Sequence, residues 1–298
     1  MVLAGRLMQL TPEILVEKLV SAEFAIEQWE LLGVGQNSIA ILANEEWIFR
    51  YPLHASAAES LDSEIAALKA VHGRLPVPTP SPEIVADVPG LEWRVMGYPA
   101  VGGETLDRSQ IGSFNAEAMT RLGRDLGRFM NTLHSTPASR FSKSALRNRD
   151  SGERWERLAS DAAELLKSRV ESSTWNRLNR KLKKSIDKIK RLEFEPVLRH
   201  GDFGSGNFLF DQQSHLSGVI DFGSAGFGDP AVDVAGLIAT DPSELLVERV
   251  RATYPAIDGM IARARIYRET FALEHALLGA KSDDELEIKD GLDSYLGT

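Results

Sequence analysis

The chain changes its hydrophobic rhythm several times, and each change marks an element. Ile14, Leu15, Val16, Leu19 and Val20 fall on one side of a helical repeat. It starts at Thr11-Pro12-Glu13, with threonine as N-cap and proline in the first helical position. From Phe24 the repeat shortens. Phe24–Leu32, Ser38–Leu42 and Trp47–Tyr51 read as three strands, joined through Gly33-Val34-Gly35 and turned at Asn44-Glu45-Glu46. Pro52 closes the third strand, and a helix follows from about Ala57 to His72 with Leu61, Ile65, Leu68 and Val71 as its apolar stripe. Glu64 lies on that stripe. A carboxylate on a packed face needs a cation, and Arg50 on the neighbouring strand is the candidate.

Further along, Leu75–Pro82 carries four prolines and reads as an extended connector. Ile84–Asp87 and Trp93–Tyr98 are two more strands about a turn at Pro89-Gly90, which makes five strands and one packed helix. A long helix is expected over Asn115–His134, with Met119, Leu122, Leu126, Phe129, Met130 and Leu133 on one face. Residues 141–193 are charge-rich and read as two helices, one carrying Trp155, Leu158, Ala162 and Leu165, the other Trp175, Leu178, Leu182, Ile186 and Ile189. The basic run Arg177–Arg191 is interleaved with apolar positions at helical spacing, the mark of an amphipathic surface helix. From Leu245 to Thr298 the pattern is helical again.

Composition narrows the functional classes. With 298 residues the chain can form one large domain or two. A net charge of −9 argues against a nucleic-acid binder. There is no cysteine, so disulfides and thiolate metal sites are excluded. Met1–Arg6 lacks a sustained apolar region and no run reaches membrane-spanning length, so a cytoplasmic protein with no membrane partner is expected.

The chemistry concentrates between His200 and Asp229. Asp202 is followed by Asn207 five residues on, and then by Asp221 opening Asp-Phe-Gly. These polar groups sit between apolar runs, Pro196-Val197-Leu198 before and Phe208-Leu209-Phe210 after, and need partners. A magnesium-bound phosphate supplies them, because magnesium takes oxygen ligands and is held by only one or two protein carboxylates. In the protein-kinase pattern an aspartate accepts the hydroxyl proton, and an asparagine and the Asp of Asp-Phe-Gly hold metal. Leu216–Ile220 pairs back on Phe208–Phe210 through the turn at Asp211–Ser214, which brings Asn207 and Asp221 to the same end of a hairpin.

His200-Gly201-Asp202, together with Gly228-Asp229-Pro230-x-x-Asp233, resembles the aminoglycoside phosphotransferase and choline kinase family. Gly33–Asn37, Ile48–Pro52, Leu75–Pro78 and Gly97-Tyr98-Pro99 look closest to its aminoglycoside 2''-phosphotransferases. The resemblance implies a bilobal α+β, protein-kinase-like fold: a five-stranded antiparallel N-lobe over 1–98, a hinge over 99–107 and a mainly helical C-lobe over 108–298. It implies a kinase using Mg2+ with ATP or GTP, in which Asp202 is catalytic and Asn207 and Asp221 hold metal. Gly35, Asn37, Ser38, Arg50 and Glu64 would serve the nucleotide phosphates, and the Pro99 carbonyl and Val101 amide the purine edge. His200 and Asp233 would support the catalytic loop. Arg50 stands where the family usually has lysine, a departure that macrolide phosphotransferases share. Few residues separate Asp221 from Gly228, too few for an activation segment holding a protein substrate. The expected acceptor is an aminoglycoside, its ammonium groups met by Glu269 and Glu274. Macrolides, choline, homoserine and a nucleotide-binding regulator are the alternatives, and the oligomeric state is left open.

Overall fold

The structure, a computed structural model, describes residues 10–35, 37–141 and 149–297. Gln36 of the first expected turn, residues 142–148 of the charged stretch, the Met1–Arg6 start and Thr298 lie outside the described residues. Helix α1 (Pro12–Ser21) is capped as its sequence predicts, the Thr11 hydroxyl accepting from the Ile14 amide at 3.4 Å. Strands β1 (Trp29–Val34), β2 (Ser38–Ala43) and β3 (Trp47–Pro52), helix α2 (Ala55–Val71), and strands β4 (Ile84–Ala86) and β5 (Val95–Pro99) follow. The strands form one antiparallel sheet in the order β1-β2-β3-β5-β4.

Two expectations need correction here. The first strand begins at Trp29 rather than Phe24. The segment before it is held by the Asn44 side chain, which accepts from the Glu27 amide at 2.9 Å and donates to the Ala25 carbonyl at 2.7 Å. The sheet also carries two helices, not one. Ile39, Ile41, Phe49 and Tyr51 point to one face and cover Leu15, Val16 and Leu19 of α1. Ile48, Met96 and Tyr98 point to the other, against Leu61 and Ile65 of α2. Successive strand residues alternate faces, so Arg50, two after Ile48, is delivered to α2.

The rest is mainly helical. Strand β6 (Glu104–Thr105) and helix α3 (Arg108–Gly112) precede α4 (Ala116–His134), α5 (Gly152–Leu165) and α6 (Ser172–Ile189). Strands β7 (Val197–Arg199), β8 (Phe208–Phe210), β9 (Leu216–Val219) and β10 (Gly226–Gly228) lead into α7 (Ala231–Thr240), α8 (Leu245–Val250), α9 (Ile261–Ser282) and α10 (Glu285–Gly297). The stretch 99–107, expected as a hinge, contains β6, which joins β8 and β9 in a small sheet. The last helical run is broken by a 3-10 turn at Pro255–Gly259. Leu126, Phe129, Met130 and Leu133 of α4 are fully buried, each worth about 1.5–3 kcal/mol in apolar transfer. They share a core with Phe203, Phe208 and Phe222, so the loops bearing the polar motif are anchored from below by aromatic rings. Among the described residues no helix is long and apolar enough to cross a membrane.

Candidate active site

The site is built on the loop that leaves β7. Its His200 and Gly201 amides both point at Asp233 of α7, donating to Oδ2 at 2.9 Å and Oδ1 at 2.7 Å. His134 of α4 approaches the same carboxylate through Nε2 at 3.0 Å, and its Nδ1 lies 2.7 Å from the Tyr254 hydroxyl. Asp233 is fully buried. Burial opposes its ionisation, but the His134 hydrogen bond and charge, with the Arg199 guanidinium nearby, prevail and hold its pKa below the ordinary 3.8. The His200 ring fastens the loop at its other end. Its Nδ1 lies 3.3 Å from the Asp202 amide and its Nε2 lies 2.9 Å from the Ile220 carbonyl, an arrangement that suits the neutral ring protonated at Nε2. Gly201 has φ +89°, and a Cβ there would lie 2.4 Å from the Ser224 carbonyl, so only glycine passes this point.

Asn207 and Asp221 come together as the hairpin register requires. Phe208 pairs with Val219, and the next rung outward is the Ile220 amide donating to the Asn207 carbonyl at 3.0 Å. The Asn207 side-chain amide donates to the Asp202 carbonyl at 2.7 Å and to Asp202 Oδ2 at 3.0 Å, which turns its own Oδ1 away from Asp202. Asp221 adopts left-handed backbone angles, φ 58° and ψ 71°, a conformation non-glycine residues rarely hold outside functional or turn positions. Its side chain is 51% exposed, with Oδ1 receiving the Gly223 amide at 3.2 Å. One carboxylate and one carboxamide oxygen, both turned outward beside Asp202, suit a magnesium ion completed by phosphate and water.

Arg50 reaches this group from the sheet. Its Nη1 lies 2.7 Å from Glu64 Oε1 and 3.6 Å from Asp221 Oδ1. Glu64 is 1% exposed. Burial pushes its carboxyl up to about 7, with the Arg50 charge opposing and Asp221 adding to the rise. Burial also opposes charge on Arg50, but Glu64, Tyr98 and Asp221 outweigh it and keep the guanidinium above its ordinary value. Tyr98 is the residue sequence reasoning missed here. It shares a sheet face with Arg50, and burial lifts its phenol to about 12. Pro99 ends β5 opposite Trp47, and the Ala100 amide donates to the Glu46 carbonyl at 2.7 Å. Val101 follows, half-buried against Gly218.

A cleft of about 620 Å3 is lined by Gly35, Asn37, Ser38, Arg50, Glu64 and Asp221 at one end, while Asp202, Asn207, Pro99 and Val101 are not on its lining. At the other end it meets a charge network absent from the sequence expectations. Arg199 clamps Asp150 through two bonds, 2.6 and 3.0 Å, and Arg154 reaches Asp150 at 2.6 Å and Glu274 at 2.8 Å. Burial works against charge on Arg154, but Glu274 and Asp150 raise its pKa above the ordinary value. Glu274 therefore lines the cleft already paired with Arg154. Leu278, one turn beyond Glu274 on α9, is exposed. Glu269 is not in this cleft. It lies in a separate groove of about 490 Å3 with Arg180, Lys181, Lys184 and Lys188 of α6. One helical turn and a half separates the two glutamates, which sends them to different sides of α9.

An antiparallel sheet presenting Arg50 to Glu64, set against a helical part carrying Asp202, Asn207 and Asp221, defines a kinase-like fold. The sequence profile of the phosphotransferase enzyme family matches residues 32–267, and the chain belongs to that family. Viomycin phosphotransferase of Streptomyces vinaceus is 39% identical over 99 residues, 32% of this chain and 34% of that protein's length. Among solved structures, the GDP and kanamycin complex of APH(2")-IIia superposes with a TM-score of 0.81 at 24% identity, covering 94% of this chain and 96% of the other. The GDP complex of wild-type aminoglycoside 2'-phosphotransferase-IIIa gives 0.80 at 25% identity over 94% and 96%.

Proposed function

We propose that the protein is a small-molecule kinase that transfers the γ-phosphoryl group of ATP or GTP to a substrate hydroxyl. The observation that carries this reading is the convergence of three groups on one end of the β8–β9 hairpin. Asn207 is hydrogen-bonded to Asp202 at 3.0 Å, and Asp221 lies 3.6 Å from Arg50. The Asp202 carboxylate orients the acceptor hydroxyl and takes its proton as the oxygen attacks the γ-phosphorus. The bond from that phosphorus to the β–γ bridging oxygen breaks, and the nucleoside diphosphate leaves. Asn207 and Asp221 would hold magnesium, which when bound neutralises charge on the β- and γ-phosphates. Arg50, held by Glu64, and the hairpin-tip residues Asn37 and Ser38 would meet the phosphate oxygens. Catalysis is then positioning and electrostatic stabilisation, with nucleotide held between the sheet and the helical part by the Pro99–Val101 strap. Aminoglycosides are the first acceptor class to test, supported by the kanamycin in a structural neighbour. Macrolides, choline and homoserine form the second panel.

The test of the donor half is a nucleotide titration with and without magnesium. Wild-type protein should bind ATP or GTP more tightly with magnesium, and Asp221→Ala should lose that difference. Identical magnesium dependence in the two proteins would remove Asp221 from the metal site.

A further inference from the structure

The charges that line the cleft do not match a polycationic ligand. It contains four carboxylates, Glu64, Asp150, Asp221 and Glu274, and four arginines, Arg50, Arg149, Arg154 and Arg199. Every one of these carboxylates has an arginine within 4 Å: Arg50 for Glu64 and Asp221, Arg199 and Arg154 for Asp150, and Arg154 for Glu274. Three arginines serve all four acids. The fourth, Arg149, has no ion-pair partner among the described residues.

Arg149 is not a loose surface side chain. Its amide donates to the Phe227 carbonyl of β10 at 2.8 Å. Its side chain crosses Gly226, where an added Cβ would come within 2.3 Å of Arg149 Nε, so the missing side chain at 226 makes its berth. The residue is half-buried and lines the wall shared by this cleft and a second groove running between α2 and α5. Burial and the neighbouring Arg199 work against its charge and lower its pKa, with Asp150 opposing them in part. The Asp150 carboxylate is already held by Arg199 and Arg154. A half-buried cation in a cleft, repelled by its neighbour and ion-paired to none of the described carboxylates, is a binding position for an oxyanion.

We infer that the acceptor taken by this cleft carries an oxyanion, a carboxylate or a phosphate, beside the hydroxyl that is phosphorylated, and that Arg149 binds it. The inference rests on the kinase reading above and deepens it by assigning the acceptor's charge. A polyamine sugar needs unpaired carboxylates at this end, and Glu274 is engaged while Glu269 lies elsewhere. An anionic acceptor meets Arg149 where every acid of the lining is already paired, with Asp202, outside that lining, left for the hydroxyl.

The test uses sugars matched in their hydroxyls and differing in charge: glucose, glucuronate and glucose 6-phosphate, with kanamycin as the polycation. Binding is measured calorimetrically with the nucleotide site filled by magnesium ADP or GDP, and phosphoryl transfer with the matching triphosphates. At least one anionic sugar should bind about tenfold or more tighter than glucose, the range of a charge-assisted hydrogen bond. The glucuronate and glucose 6-phosphate arms separate carboxylate from phosphate. Arg149→Gln should erase the preference and Arg149→Lys should keep most of it, which separates loss of charge from loss of folding. Equal binding of neutral and anionic sugars, binding of none of them, tighter binding of kanamycin, or an anion preference untouched by Arg149→Gln would each overturn the inference. Magnesium-nucleotide binding by the wild type reports separately on the kinase reading. If it occurs without an anion preference, only the acceptor assignment fails.

Discussion

Asp233→Asn isolates the brace beneath the catalytic loop. The wild-type carboxylate divides its two oxygens between two buried amides, His200 at 2.9 Å and Gly201 at 2.7 Å, with His134 as a third partner. Asparagine fits the space but has one acceptor oxygen, and its amino group must face one of those N–H donors. That leaves a buried amide unsatisfied, a cost of about 1–3 kcal/mol. The two surviving contacts also lose their charge assistance, about 1 kcal/mol each. The sum is about 3–5 kcal/mol, or roughly 6–10 °C in Tm for a chain of this size. The pH dependence carries a sign. Asp233 has a folded pKa below the ordinary 3.8, so its stabilisation is complete above that value and is lost as pH falls through the folded pKa. Thermal denaturation should therefore show a constant gap between wild type and variant from about pH 5 to 8, closing only in strong acid. Because His200 and Asp202 move with the brace, turnover should fall as well. A gap below about 1 °C, or one that shrinks as pH rises, would refute the brace.

Arg50→Lys should stay folded and within about tenfold of wild-type turnover, since it keeps the cation and loses only the fork geometry. Arg50→Ala strands Glu64 at 1% exposure and should cost about 3–5 kcal/mol by chemical denaturation, together with nucleotide affinity. Unchanged stability and affinity there would mean that the β3–α2 pair does not matter. Glu64 itself titrates in the opposite sense to Asp233. Its folded pKa of about 7 exceeds the ordinary 4.5, so the folded state binds the extra proton and stability falls as pH rises from 4.5 to 7. Glu64→Gln should flatten that decline, by at most about 3 kcal/mol across the window; equal slopes in the two proteins would contradict it. Gly236→Ala should destabilise by about 1–3 kcal/mol, because a Cβ at 236 would come 2.2 Å from the Phe203 carbonyl of the catalytic loop. A Tm equal to wild type would show that the loop yields freely.

What could be read from the sequence was whatever a short period or a local turn encodes. Strand alternation put Arg50 on the face of Ile48, helical spacing put Glu64 between Leu61 and Leu68, and the two meet at 2.7 Å. The Asp211–Ser214 turn sets the register that brings Asn207 to Ile220. Pairings between distant segments leave no such trace. Asp150 meets Arg199 across 49 positions, and nothing in the spacing of either residue announces it. Helix α1 is legible in its cap and apolar spacing, but which sheet face it covers depends on the path of residues 22–28, which the Asn44 side chain fixes. Glu269 and Glu274 look alike in a list of acids. Their difference appears only when α9 is buried on several sides, by α5, α7 and α10. Arg149 is legible only through a missing partner, and a missing partner is a property of the folded chain.

The central claim is phosphoryl transfer with Asp202 as the proton acceptor, and its most direct measurement follows the label from γ-32P-ATP and γ-32P-GTP. Wild-type protein with magnesium and a panel of hydroxylated acceptors should yield a labelled phosphomonoester. Asp202→Asn, still binding magnesium nucleotide, should yield it at least about a hundredfold more slowly. Wild-type protein that binds no nucleotide, or an Asp202→Asn variant that transfers label at the wild-type rate, would contradict the claim.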